Sequence, residues 1–497
     1  MLGTSSPLNT NDSRSPSAFY WVLVPAVVMS LGWGLRGYIG GGPHGAMIPG
    51  ALVSLILCNH LGYSISASAA VVAFAAIGIG FGGNMTYGQT LGLIRETETF
   101  WLGLAGTTLK GAIWGLLGGA MLGLGFAARH LALRHMILAL LLILVGITLG
   151  INFVNVPKLI YFSDPINKPR DESWAGLLCG AIAVLTYMQL RHSKVAWMPL
   201  VFGLYGSIGG AFGFGLGSLF LTLQANLSDQ WNWLPCWKFM EFSFGFLFGA
   251  SLGLGSLHLR DRLRPLGANE VTKDPTTTEP FQFATPLQLI PSTLIVFGVY
   301  YAWNQYAELL FPELGSLGRS NLKWTATDVL VDFTGVGCLL LLLSQRWQTI
   351  AWQVAISMTI IATAIDWQRD LLPRGHIDWD ENYRDLFIAC MGLISILVVH
   401  TWINSRAPKL MHLFLFALCV LMGVGYMMGL AHADIWHPAP EAVAAAGGRT
   451  AYLWQQYRGE VIVHFIFTAL FTSSVCVALH ELRMNNKTRL QQADTHK

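Results

Sequence analysis

The chain has 497 residues, 53% hydrophobic and only 11% charged, with a formal net charge of +3 and a mean hydropathy of +0.51. That balance lies outside the soluble globular range and describes a polytopic membrane protein. It argues against a nucleic-acid partner, since no basic block is long enough to follow a phosphate backbone. The cysteines, at 58, 179, 236, 338, 390, 419 and 476, fall mostly inside apolar runs. No CxxC or Cys/His ligand spacing is present, so no disulfide framework, metal or cofactor is expected.

Residues 1–17 are polar, with no basic region ahead of a cleavage site, and read as a cytoplasmic N-terminal tail rather than a removable signal. The first apolar run then leads into a stretch at 32–50 that is crowded with Gly and carries Pro43 and Pro49. It also holds Arg36 and His44, which hydrocarbon rejects. Such backbone at membrane depth is tolerated where protein buries it or where it lines a wet cavity, so a broken helix beside a polar site is one reading. An ordinary loop, with Arg36 reaching back to the headgroups, is the other.

Apolar runs of spanning length continue along the chain. Those near 18–36, 44–60, 66–83 and 102–128 make a first four-helix unit, 18–128. Those near 135–154, 173–190, 196–223 and 237–257 make a second, 129–265. A polar linker, 266–286, precedes a six-helix module, 287–482, with runs near 286–303, 325–345, 347–366, 385–404, 409–430 and 460–481. A polar tail, 483–497, follows. The fold expected is an all-α polytopic membrane protein of about 14 transmembrane helices.

Basic residues fall at alternate connections: Arg129/Arg134, Arg191/Lys194, Arg260/Arg262/Arg264, Arg346, Arg406/Lys409 and Arg483/Lys487/Arg489. The positive-inside rule makes these cytoplasmic, with both termini inside, as in a bacterial inner membrane.

The two four-helix units carry a glycine-rich repeat. Gly82, Gly83 and Gly88 recur as Gly209, Gly210 and Gly215. Gly115, Gly119, Gly123 and Gly125 recur as Gly245, Gly249, Gly253 and Gly255, and Pro43 and Gly50 match Pro169 and Gly176. A near-constant offset across three segments points to a parallel 4+4 repeat, although small-residue faces also serve plain helix packing.

Ionisable groups within spans are candidates for function. Lys110 lies inside the fourth span, and Lys238 and Glu241 open the eighth at i, i+3, a spacing that predicts an ion pair. Asp332, Asp366, Glu460 and His464 fall in the outer half of the membrane, where desolvation suits them to proton coupling or acid/base work. Arg36, His44, Asn84, Tyr87 and Gln89 are candidates to hold a solute. The outer loop around Trp231 and Trp233 offers aromatic faces beside Asn and Gln, suited to a sugar ring and equally to an interfacial belt.

No nucleotide fingerprint or ATPase-sized loop is present. The expectation is therefore a secondary transporter, proton-coupled in one version, for a small polar, sugar-like or anionic solute. Membrane lipid is the other partner. The alternative is an outer-face membrane transferase using a lipid-linked glycan or acyl donor, with Arg and His holding a pyrophosphate or moving a proton.

Overall fold

The computed structural model describes residues 17–38, 42–85, 87–164, 170–268, 410–432 and 439–495. The expected spans from 286–303 to 385–404 and the linker from residue 269 onward lie outside the described residues. So do Asp332 and Asp366.

The described chain is helical, with no strand among the described residues. In order come α1 (Ala18–Arg36), α2 (Gly42–His60), α3 (Ile65–Phe81), the short α4 (Gly88–Leu93) and α5 (Phe100–Ala127). Then follow α6 (Leu133–Gly150), α7 (Trp174–Arg191), α8 (Trp197–Asn226) and α9 (Cys236–Ala268). The last are α10 (Leu410–His432), α11 (Pro440–Ala445) and α12 (Arg449–Thr495). Among the described residues seven helices, α1, α5, α6, α7, α8, α9 and α12, are long and apolar enough to cross a membrane, and α2, α3 and α10 carry shorter apolar stretches. This is an all-α integral membrane protein. A helix satisfies every backbone group within its own segment, which is what hydrocarbon demands. Ser17 and Ser64 start α1 and α3 as N-caps, accepting from the Tyr20 and Ala67 amides at 3.3 and 3.1 Å.

Six helices make a circuit in which each packs on the next: α1, α2, α3, α5, α8, α9 and back to α1. The α6–α7 pair leans on α5 from outside, and α10 and α12 pack against α1. The neighbours run antiparallel and touch through glycine. Along α5, a Cβ at Gly111, Gly115, Gly119 or Gly123 would land on the backbone of Gly210, Gly206, Phe202 and Met198 of α8 in turn. Along α9, Gly245, Gly249 and Gly253 face the carbonyls of Met29, Pro25 and Trp21 of α1 in the same manner. Pro25 has no N–H to offer the Trp21 carbonyl one turn back, and the Gly253 face closes over that carbonyl. Without a hydrophobic drive between helices in lipid, this close approach supplies the packing.

The 32–50 stretch is helical up to Arg36 and again from Gly42. Gly32 and Gly34 lie inside an unbroken α1. A side chain at Gly32 would meet the Pro49 backbone, and one at Gly34 would meet the rings of Phe242 and Phe467. The glycines there make room for neighbours, so the helical run ends only after Arg36.

The circuit closes on aromatic rings. Trp33 packs edge-on to Trp114 and to Phe244 with centroids 5.0 and 4.3 Å apart. Phe244 stacks on Phe214 at 5.0 Å. The Trp114 indole N–H donates to the Ile79 carbonyl at 2.6 Å, and Gly82, just past the end of α3, has no side chain because that indole fills the space.

Candidate functional site: a buried arginine at the end of α1

Arg36 is the last residue of α1 and is only 3% exposed. A cation there suits the negative end of the helix dipole. Three rings surround the guanidinium, with centroids at 5.8 Å (Trp33), 5.4 Å (Tyr87) and 5.3 Å (Trp114). Nη1 donates to the Tyr87 hydroxyl at 2.6 Å. Nε is buried with no hydrogen-bond partner, and no carboxylate among the described residues pairs with this arginine. Cation–π contacts offset part of the desolvation, but they do not satisfy N–H donors.

Tyr87 reaches this position from the segment after α3. The chain breaks at Gly82 and makes a single 3-10 turn to Asn84 before α4. Tyr87 packs on Phe214 at 5.4 Å and lies nearly parallel to Trp237 at 6.2 Å. Two residues on, Gln89 has both amide atoms buried without partners.

A series of ring contacts, hydrogen bonds and one ion pair runs from Tyr87 to α12. The Trp237 indole donates to Glu241 at 3.2 Å. Glu241 pairs with Lys238 at 2.7 Å, as the i, i+3 spacing predicts. Lys238 also donates to the Gly34 carbonyl at 3.2 Å and lies 4.0 Å over the Tyr38 ring. The Tyr38 hydroxyl donates to Glu460. One turn along α12, His464 holds the Glu460 carbonyl at 2.7 Å and the Tyr457 hydroxyl at 3.2 Å through Nδ1, stacks on Tyr426, and leaves Nε2 buried and unpartnered.

The structure thus joins Arg36 to Tyr87 directly and to Glu460 and His464 through intermediaries. Trp231 and Trp233 stay apart from this group. They stack on each other at 6.2 Å, and Arg458 lies 4.9 Å over Trp233. His44 is in the first turn of α2 and Asn84 in the 3-10 turn, but their side chains lie outside the described residues. Sequence reasoning missed Trp33, Trp114 and Trp237. The signal for Trp33 was its place one turn before Arg36 on the same helix. Trp237 belongs to the same aromatic 229–238 stretch as Trp231 and Trp233, and no local signal marked Trp114.

A second buried cation lies close by in the chain. Lys110, one turn before Trp114 on α5, pairs with Glu172 at 2.8 Å and donates to Thr90 on α4 at 2.8 Å. Glu172 also accepts from the Phe162 amide at 3.2 Å and the Ser163 hydroxyl at 3.1 Å. That network leaves Lys110 neutralised. Among the described residues no cluster of His, Cys, Asp and Glu could hold a metal ion.

Compared with known protein families, curated proteins and solved structures, the chain matches none.

Proposed function

We propose that this protein is a secondary transporter for a small anionic or polar solute, with Arg36 as the solute-binding cation in the outer half of the membrane. The observation that carries the reading is the contrast in charge balance. Lys110 and the half-buried Lys238 each have a glutamate at ion-pair distance, whereas Arg36, buried like Lys110, has an unsatisfied Nε. A buried cation that keeps its charge without a protein anion is a receptor for one that arrives. The basic residues Arg129, Arg134, Arg191, Lys194, Arg260, Arg262 and Arg264 belong to the end of the bundle where α1 begins. The positive-inside rule then turns the Arg36 end outward. Glu460, held by Tyr38, and His464 supply groups for proton coupling next to the Lys238–Glu241 pair.

The test is uptake into proteoliposomes of radiolabelled organic anions, phosphate and sugars, with and without a pH gradient. Uptake by the native chain that Arg36→Ala abolishes, and that a protonophore collapses, is the expected result. If native protein and Arg36→Ala are equally inert across all three solute classes, the transport reading fails and an outer-face transferase takes its place.

A further inference from the structure

The state of the Arg36 guanidinium narrows the solute class. A guanidinium is a planar fork, and each of its long edges presents two nearly parallel N–H bonds. On Arg36 the Nη1 donor is committed to the Tyr87 hydroxyl. Nε is buried without a partner, and no described residue hydrogen-bonds Nη2. The Nε–Nη2 edge is therefore the unused one, and its geometry matches the two oxygens of a carboxylate.

Charge points the same way. The guanidinium has no carboxylate paired with it among the described residues, since Glu241 is taken by Lys238, Glu172 by Lys110, and Glu460 is held by Tyr38. A monocarboxylate matches the single charge of the guanidinium. A phosphate dianion leaves one negative charge beside aromatic rings, where charge is poorly screened. The walls exclude a sugar on other grounds. Trp33, Trp114 and Phe244 are at most 2% exposed, and the indole N–H of Trp114 is already used by Ile79. A hydroxyl-rich ring would find few partners there, and each unpaired hydroxyl is penalised. Aromatic walls instead favour a flat or branched apolar body.

We infer that Arg36 is the carboxylate receptor for an organic monocarboxylate with an apolar body, held bidentate on the Nε–Nη2 edge. This rests on reading Arg36 as the solute-binding cation, and it does not need translocation in order to be measured.

The experiment uses the full chain in nanodiscs and follows intrinsic tryptophan fluorescence at pH 7 during titration with benzoate, isobutyrate, benzamide, phenyl phosphate and glucose. Benzoate or isobutyrate should bind saturably. Benzamide, which has the same shape without the charge, should bind roughly tenfold or more weakly, the scale of one charge-assisted contact. Arg36→Gln should lose roughly tenfold or more for benzoate, and Arg36→Lys, which keeps the charge but not the fork, should fall between. Circular dichroism and gel filtration report whether each variant is folded. The native-chain comparison of benzoate with benzamide and phenyl phosphate stands even if a variant is not. The inference is overturned if neither carboxylate binds, if phenyl phosphate or glucose binds more tightly, or if folded Arg36→Gln binds benzoate as well as the native chain. Benzoate binding that depends on Arg36, with no uptake into proteoliposomes, sustains the receptor and removes transport. Arg36-dependent uptake of phosphate or sugar, with no carboxylate binding, does the reverse.

Discussion

Two buried cations approached from α5 and from the 87–90 segment at the start of α4 have opposite surroundings. Lys110 is 1% exposed and Arg36 3% exposed. Thr90 and Tyr87, three residues apart, reach Lys110 and Arg36 respectively, and on α5 Lys110 itself is one turn from Trp114 beside Arg36. Yet Lys110 has a carboxylate with two further donors behind it, and Arg36 has rings and one neutral hydroxyl. The lesson is that burial of a charge does not reveal its role. A closed network such as Lys110–Glu172 ties α5 to the segment before α7, whereas an open one such as Arg36 has capacity to spare.

The largest expected effect is at the closed site. Glu172→Ala leaves Lys110 buried without its anion, and loss of one partner of such a pair costs about 3–5 kcal/mol. Thermal unfolding in detergent should fall sharply. The paired replacement Lys110→Met with Glu172→Leu, which removes both charges, should recover most of the loss; if it does not, the pair is not the cause. Next is the glycine seam. In Gly115→Val the added side chain meets the Gly206 carbonyl, and overpacking of this kind costs about 1–3 kcal/mol. The same change at Gly92, where nothing lies within 4 Å, should be far milder and serves as the control.

The open site should respond the other way round. Arg36→Met removes three cation–π contacts and one hydrogen bond, but it also removes a buried charge with an unsatisfied donor. These effects oppose each other, and stability should change by only about 1 kcal/mol, while benzoate binding is lost. A loss as large as that of Glu172→Ala would erase the distinction between the two sites.

The smallest effect concerns His192, just beyond the end of α7. Burial, followed by the positive charges of His135 and Arg191, holds its imidazole below the ordinary range. As pH falls through about 6.5 the unfolded chain takes up a proton that the folded chain refuses, so stability declines with acidity. His192→Phe should flatten the dependence of melting temperature on pH between about 7 and 5 without moving its upper plateau. An unchanged slope would remove this residue from the account.

Much of this was legible in the sequence, and the limits are instructive. The expected spans at 18–36, 102–128, 135–154, 173–190 and 196–223 agree with α1, α5, α6, α7 and α8 to within a few residues. Hydropathy is a local property, and a helix in lipid needs only its own backbone. The Lys238–Glu241 pair was readable for the same reason, since both residues share one turn. A charge within an apolar stretch marks Arg36 in the sequence, and Tyr87, its hydrogen-bond partner, lies in the Gly-rich segment after the third apolar run.

What tertiary structure alone decided is which faces meet. Glu172 is 62 residues from Lys110 along the chain, and no pattern in the sequence joins them. Trp231 and Trp233 drew attention because they cluster, yet it is Trp237, inside α9, whose ring lies beside Tyr87. The physical reason is the glycine seams. Composition sets that α5 and α9 can approach a neighbour closely, but many helices could accept those faces. Only the circuit, in which α5 meets α8 and α9 meets α1, brings Trp33, Trp114 and Tyr87 around one guanidinium and leaves its second edge free.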